Sequence, residues 1–513
     1  MKTPILGSSY VARSVNAADN RMVNLFPEAV PEGGKEAAFL QRAPGLKFLQ
    51  EVGDGPIRGL WVAKANVEQF YVVSGVEVYK LTSLTGTPVL IGEVSGTGPV
   101  SIADNGTQVF FACNGPSFIY NINTGVFGPI TDPDFPGAVT VGFLDGYFVF
   151  NEPNSQKVWV TALLDGYDIN ALDFASAEGS PDGLVAVNVD HREAWLFGTN
   201  SIEVWYNAGL ADFPLARIQG AFNELGLAAP FSVAKLDNTL FWLGRDDRGQ
   251  GIIYRANGYT GQRVSTHAVE WQIQQYATIS DAIAYTYQQD GHSFYVITFP
   301  SASATWVYDV ATQAWHERGG WENGHYVRHR SNCQCNFKGA TVVGDFQNGN
   351  IYQFDLDVYA DNGQIQRWTR SWRAIPTGQN NLNRTSQHSL QLDAQTGHFM
   401  EPVAEEEDVF IVTEFGQRLT TQDDDLLITQ TPETVYTNPA PQFMLRWSDD
   451  GGHTWSNEHW MGGGAIGQYG TRVIWRRLGM TLKLRDRVYE VSGTDPIKIA
   501  IMGAELHGQG TNA

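Results

Sequence analysis

Cysteine is scarce, with three among 513 residues. A disulfide framework needs paired cysteines at regular spacing, so this fold must hold by packing and hydrogen bonding, as suits a reducing cytoplasm. Long apolar runs are missing too. No stretch of about 18 apolar residues occurs, so no membrane-spanning helix is expected. The opening Met1-Lys2-Thr3-Pro4-Ile5-Leu6-Gly7 carries one Lys and no apolar core of signal-peptide length, so no secretion signal is expected. Basic residues are in deficit: 34 Lys and Arg stand against 55 Asp and Glu, a formal net charge of −21. Tight general binding to phosphate backbones needs clustered cations, and this balance disfavours it. DNA passing an acidic wall would be repelled and slide, and an acidic surface also keeps a protein soluble. Two motifs of enzyme chemistry are absent, the Gly-rich phosphate loop ending in Lys-Ser/Thr and the Gly-x-Ser-x-Gly nucleophile elbow.

What is present is a turn-rich, aromatic chain with 54 Gly and 12% Phe, Trp and Tyr. The clearest unit runs from Ala304 to Trp321. Thr305-Trp306-Val307-Tyr308 has strand composition, Asp309 to Gln313 supplies a polar turn, and Trp315 opens a second strand ending at Gly319-Gly320. Trp306, Tyr308 and Trp315 read as packing residues and Asp309 as a turn residue. His316-Glu317-Arg318 reads as a solvated blade edge or a surface touching another subunit. A hairpin alone cannot bury its apolar face, so hairpins repeated along a chain imply a stacked or radial array.

Such units start near Gly59, Val100, Ala138, Leu184, Phe231 and Ala282. Their spacing of roughly 40 to 50 residues is the period of a four-stranded propeller blade. A shorter unit, Ala340 to Tyr352, completes or closes the ring. Turns such as Asp145-Gly146 and Asp290-Gly291 separate apolar from aromatic strands, as hairpins require. The fold class is therefore all-β: a six- or seven-bladed propeller plus a β-rich platform or fin domain, with a β-sandwich as the competing reading of the repeats. The expected organisation is an N-terminal arm over 1–56 packed on the platform, a propeller over 57–376, and a C-terminal domain over 377–513. An insertion at 400–441 carries the acidic runs Glu405-Glu406-Glu407-Asp408 and Asp423-Asp424-Asp425. Phe410-Ile411-Val412 and Leu426-Leu427-Ile428 within it form a protruding hairpin on this reading.

Few residues point to chemistry. Ser448, Asp450, Gly452 and Trp455 match the Asp-box pattern Ser-x-Asp-x-Gly-x-x-Trp. Asp450 accepts from turn amides, Gly452 permits the tight backbone and Trp455 packs under the turn, so the box stabilises a hairpin. The pattern resembles the turns of sialidases and other glycan-processing propellers, which keeps a glycan-binding or glycan-hydrolysing propeller open as the alternative. A hydrolase needs a positioned pair of carboxylates, and none can be singled out. His325, His329, Cys333 and Cys335 are metal-ligand types, but Cys-x-Cys is tighter than zinc pairs and Arg328 and Arg330 crowd it. The acidic runs lack EF-hand spacing and read as solvated loop. No catalytic, cofactor-binding or metal residue is assigned.

Three stretches carry a family resemblance. They are Arg21-Met22-Val23-Asn24-Leu25-Phe26-Pro27-Glu28 with Ala43-Pro44-Gly45-Leu46; Val343-Gly344-Asp345-Phe346-Gln347-Asn348-Gly349-Asn350-Ile351-Tyr352 with Tyr359-Ala360-Asp361-Asn362-Gly363; and Trp447-Ser448-Asp449-Asp450-Gly451-Gly452-His453-Thr454-Trp455. Their order resembles the tail hub or nozzle proteins of short-tailed bacteriophages, the packaged-DNA stabilisation proteins. The resemblance spans nearly the whole chain. It implies a structural virion component without enzyme activity or cofactor. It further implies a homo-hexamer below the portal and its adaptor ring, assembled in the host cytoplasm. That ring extends and closes the DNA channel, retains the genome without sequence-specific binding, and anchors spikes, fibres or a needle. The insertion departs from the family pattern and is expected at a channel tip or a fibre contact. A third reading is a propeller scaffold for cellular partners.

Overall fold

A computed structural model describes residues 1–11, 13, 19–30, 34, 36–63, 68–177, 179, 182–211, 213–246, 249–375, 384–396, 403–407, 433–437, 440–464, 470–481 and 487–510. Its hairpins are set by pairs of turn residues with positive φ. Asp145 and Gly146 sit at 47° and 100°, Asp290 and Gly291 at 49° and 82°. Such turns twist with the strands they join. His191-Arg192 (49° and 62°) and Asp237-Asn238 (49° and 57°) do the same without glycine. His191, Asp237 and Asn238 are side-chain types that tolerate the left-handed position, and Arg192 adopts it beside them.

The strands fold into seven blades. The innermost strands are Ile57–Ala63, Ser101–Asp104, Val141–Leu144, Leu184–Asp190, Ala234–Leu236, Ile283–Gln289 and Ser331–Phe337. Each blade is an antiparallel sheet. Apolar clusters lie between every neighbouring pair, and one of them, including Ile57, Phe70, Phe337 and Ile351, joins the last blade to the first. The ring is therefore closed, and long unpaired edges face only outward. The unit read as shorter is a full blade. Ser331–Phe337, Ala340–Asp345 and Asn350–Asp355 supply three strands, and Gly45–Glu51 from the N-terminal stretch supplies the fourth. A three-strand remnant cannot cover its outer edge, and the arm strand does so.

The expected arm therefore divides. Residues 45–51 join the ring, while Lys2–Thr3, Met22–Val23, Leu25–Ala29 and Ala38–Arg42 build a second domain with the C-terminal strands. One sheet runs Val473–Met480, Thr385–Thr396, Ile499–Gly510, Ala38–Arg42, Leu25–Ala29. The facing sheet runs Met22–Val23, Trp368–Arg373, Val488–Gly493, Gln442–Ser448, His459–Gly462. Between them lie Met22, Leu25, Leu40, Trp368, Trp372, Leu390, Phe443, Trp475 and Ile501, all buried. Trp368–Arg373 thus belongs to this sandwich, not to the propeller to which its position before residue 376 assigned it.

The sandwich is continuous with the ring. Met22–Val23 pairs in parallel with Ala314–Glu322, the outer strand of blade six, and antiparallel with Trp368–Arg373. Blade six and one face of the sandwich are consequently a single 10-stranded sheet. In the insertion, Val403–Glu407 pairs with Glu433–Thr437. The expected hairpin segments 410–412 and 426–428, and the acidic residues 408 and 423–425, lie outside the described residues. One helix, His267–Gln274, went unread in the sequence. Thr266 caps it by accepting from the Val269 N–H, and Glu270 occupies its first turn.

Candidate functional site at the joint of propeller and sandwich

The ring axis is the first place to look for a site or a conduit. It holds a cavity of about 200 Å³, lined by the inner strands of all seven blades and including Arg58, Thr140, Tyr285 and Asn332. No carboxylate is among the described lining residues, so the cavity offers no acid and base pair for hydrolysis. Its one cation, Arg58, is spent on the carbonyls of Gly98, Gly75 and Ser95 at 2.6, 2.7 and 3.0 Å. The space suits water. It is far too small for a DNA duplex, whose major groove alone is ~12 Å wide.

The densest polar construction lies instead where the ring meets the sandwich. Asn24 follows the bridging strand Met22–Val23 and sits at φ 54°, a left-handed conformation that asparagine tolerates. It is fully buried. Its N–H donates to the Glu317 carbonyl at 2.9 Å, and its carbonyl accepts from Ala43 at 3.0 Å. Its side-chain amide donates to the carbonyls of Gly319 (2.8 Å) and Arg367 (2.7 Å), and its Oδ1 accepts from the Gly319 N–H at 3.1 Å. One asparagine thus ties together blade six, the segment entering the sandwich, and the arm.

Charged groups around it pair off. Arg21 grips Glu317 through Nη2 at 2.8 Å and Nε at 3.1 Å, and its guanidinium lies 5.0 Å from the Tyr326 ring. Burial pulls the Arg21 pKa down, but the Glu317 charge more than offsets this and keeps the pair ionised. Arg367 bonds Glu458 and Ser492, each at 2.8 Å, beneath Trp321, and Arg446 bonds Glu490 at 2.6 Å. Arg370 is buried and satisfied by the carbonyls of Ile5 (2.6 Å) and Asn20 (3.3 Å). Arg42 reaches the carbonyls of Asp495, Ile497, Tyr359 and Gln366. Burial lowers its pKa to about 10, so it stays charged at neutral pH. Asp19 is pushed up to about 6, by burial first and by the Glu490 charge second. A joint cavity of about 540 Å³ is lined by Arg21, Tyr326, Arg367, Arg446, Glu458 and Glu490. Its three arginines already hold carboxylates, which is the chemistry of a rigid coupling between two domains.

His316-Glu317-Arg318 is therefore neither a solvated edge nor an outer surface. Glu317 is one of the joint's three paired carboxylates, while His316 and Arg318 are buried on the other side of the strand. Their polar character made them read as exposed, but the bridging strand covers that edge. Asn24 is the functional residue that sequence reasoning missed. An asparagine between Met22-Val23 and Leu25-Phe26 was the available signal, because asparagine is depleted in strands.

The Asp box closes the turn after strand Gln442–Ser448. Asp450 accepts from the Ser448 hydroxyl (2.6 Å) and from the N–H and hydroxyl of Thr454 (2.8 and 2.6 Å). These bonds hold its carboxyl well below the usual range, Ser448 contributing most. Gly452, at φ 101°, donates to the Ser448 hydroxyl at 2.8 Å. Trp455 is half-buried, with the Arg446 guanidinium 4.7 Å from its ring. Asp450→Ala and Trp455→Ala are each expected to destabilise the sandwich by about 1–3 kcal/mol, through lost turn bonds and lost packing. A carboxyl with a depressed folded pKa contributes stability above its unfolded pKa of ~3.9. The gap between wild type and Asp450→Ala should therefore narrow as pH falls below ~4. Melting curves from pH 3 to 7 check this, and a gap unchanged at pH 3 would contradict it.

The histidine and cysteine group does not come together as a centre. His325 is exposed on the strand His325–Arg328, whereas His329 is buried with Nδ1 on the Ser331 hydroxyl at 2.6 Å. Cys333 and Cys335 pack against the core between blades seven and one, and burial raises both thiols, Cys333 to about 12. Among the described residues no three His, Cys, Asp or Glu are placed to hold a metal.

Comparison with known proteins gives one clear result. The family described as bacteriophage P22 Gp10, β-propeller, matches residues 1–359, and its companion, bacteriophage P22 Gp10, β-sandwich, matches residues 412–509. No curated protein sequence matches. Solved structures similar in part include a chain of the mitotic checkpoint complex, at 11% identity and TM-score 0.39, covering 60% of this chain and 94% of that one. The computationally designed Ika8 protein matches at 16% identity and TM-score 0.37, covering 66% and 100%. The extracellular domain of the putative one component system BT4673 from B. thetaiotaomicron matches at 11% and 0.39, covering 89% and 58%. Likeness at this level says nothing about function.

Proposed function

We propose, from the premise that this chain belongs to the bacteriophage P22 Gp10 family and is a structural, packaged-DNA-stabilising component of the virion, that it forms the tail hub. In this reading six copies make a ring below the portal and its adaptor, assembled in the host cytoplasm, which extends the DNA channel and retains the genome. Spikes, fibres or a needle attach to the same ring. The observation that carries the reading is the 10-stranded sheet fusing blade six to the sandwich through the arm. A component that fixes two domains at one angle repeats that angle in every copy, and heterologous contacts with a fixed rotation close into rings. The axial cavity of about 200 Å³ means that DNA does not thread a propeller. The channel then lies between subunits, with the sandwiches as platform and the propellers outward. A net charge of −21 suits a wall that lets DNA slide.

The test is assembly. Light scattering of the purified protein, alone and with an adaptor ring, should show adaptor-dependent formation of a six-fold species, and images of the tail should show six copies encircling DNA. A monomer that ignores adaptor rings overturns the reading.

A further inference from the structure

Outer strand Ala314–Glu322 of blade six turns two polar side chains into the core it shares with blade seven. His316 and Arg318, two residues apart on one face, are 0% and 2% exposed. The Arg318 guanidinium carbon stands 5.3, 5.4 and 5.6 Å from the ring centroids of Tyr287, Phe294 and Phe354. Among the described residues none of its three nitrogens makes a well-formed hydrogen bond, although the guanidinium lies within donating reach of the Tyr287 hydroxyl. A guanidinium with five N–H donors is thus buried there with one weak acceptor, the Tyr287 oxygen, among the described residues.

Groups around it share the deficit. Among the described residues both ring nitrogens of His316, Nε2 of His329 and Oδ2 of Asp361 are buried and lack partners, and the Tyr287 O–H has no acceptor. His316 lies between Phe26 and Phe294, and His329 against Phe354, so the set lines one aromatic cage. Burial first and the Arg318 charge second hold both imidazoles below their usual range, His329 at about 3, so both are neutral. His329 Nδ1 meets the Ser331 hydroxyl at 2.6 Å and the Ser331 N–H at 3.3 Å, and with Nδ1 as the acceptor of both the proton sits on Nε2.

The unmet groups are thus mostly donors: the guanidinium, His329 Nε2–H, one His316 N–H and the Tyr287 O–H. Nearby carboxylates are engaged elsewhere. Asp309 holds His292 and Thr312, and Asp345 holds Arg330 and Tyr352. Asp361 is pushed up to about 7 by burial, against the Arg42, Arg330 and Arg318 charges, so it too is in part a donor at neutral pH. Water brings as many donors as acceptors and leaves the surplus standing. A ligand that only accepts removes it.

We infer that this cage between blades six and seven binds a small monovalent anion of the halide class, chloride in the cell, held by Arg318, His329 Nε2 and the Tyr287 hydroxyl. The ion neutralises the guanidinium and ties together the two blades that the arm also crosses.

Thermal melts of the full chain in sodium chloride, sodium bromide and sodium gluconate at constant ionic strength test this. Halide should raise the melting temperature saturably by several degrees over gluconate, because a ligand bound only by the folded state stabilises it. Arg318→Met should lose that response, and a bromide-soaked crystal should show anomalous density at the guanidinium. If Arg318→Met does not fold, Tyr287→Phe should raise the half-saturating halide about tenfold, the equivalent of one lost hydrogen bond. Identical melting in halide and gluconate means that the cage holds water only and overturns the inference. A halide response unchanged in these variants overturns it as well.

Discussion

Asn24→Ala should cost about 3–5 kcal/mol and lower the melting temperature by roughly 3–5 °C. The change removes the side chain that satisfies the Gly319 N–H and the carbonyls of Gly319 and Arg367, all in a fully buried place. Each orphaned buried group costs about 1–3 kcal/mol, with partial relief where water enters. Alanine at φ 54° adds roughly 1 kcal/mol of backbone strain. Asn24→Gly separates the two terms, since it relieves the strain and keeps the orphans. It should recover about 1 kcal/mol and no more. Calorimetry should also show one unfolding transition for the wild type and two for the variant, because the joint couples ring to sandwich. An Asn24→Ala protein melting within 2 °C of wild type would sink the assignment of this residue as the coupling point.

Gly349→Ala should prevent the ring from closing. A Cβ at 349 would fall 1.8 Å from the Gly53 carbonyl oxygen and 2.7 Å from that of Val52. Both obstacles are backbone, so no side chain can swing away. The collision lies where the chain passes from the seventh blade's outer strand into the first blade, beside the bond from the Val52 N–H to the Gly349 carbonyl at 2.7 Å. Relief requires parting the Gly45–Glu51 strand from Asn350–Asp355. The expected loss exceeds about 4 kcal/mol, at the far end of single-substitution effects. Limited proteolysis should cut the variant near residues 51–56, which the wild type protects. Equal protection in both proteins would show that the closure tolerates the change.

Local features were legible and distant ones were not. The Asp145-Gly146 and Asp290-Gly291 turns and the strand around Trp306 could be read because turn geometry and alternation act within a few residues. The Asp box was legible for the same reason, its bonds spanning Ser448 to Thr454. The blade number stayed between six and seven because the seventh blade borrows a strand from about 300 positions earlier, and no local pattern announces such pairing. Trp368–Arg373 reads as a strand in either domain, and only its partner at Val488–Gly493 assigns it. His316 and Arg318 went wrong for a different physical reason. Polarity implies exposure unless something else covers the strand edge, and the cover here is a two-residue strand near the other end of the sequence.

The borrowed strands also order events during synthesis. Gly45–Glu51 has no partner until Asn350–Asp355 is made, and Ala38–Arg42 awaits Ile499–Gly510. At the ~5–20 residues per second of translation, the first of these strands leaves the ribosome tens of seconds before its mate. Blades one to five are complete in themselves and can mature meanwhile, but the seam and the sandwich cannot. For that interval Leu25, Phe26, Leu40 and Leu46 are exposed to other nascent chains on the same message. A chain destined for a crowded particle therefore has its sensitive period before release, and slow decoding between residues 51 and 350 should lengthen it.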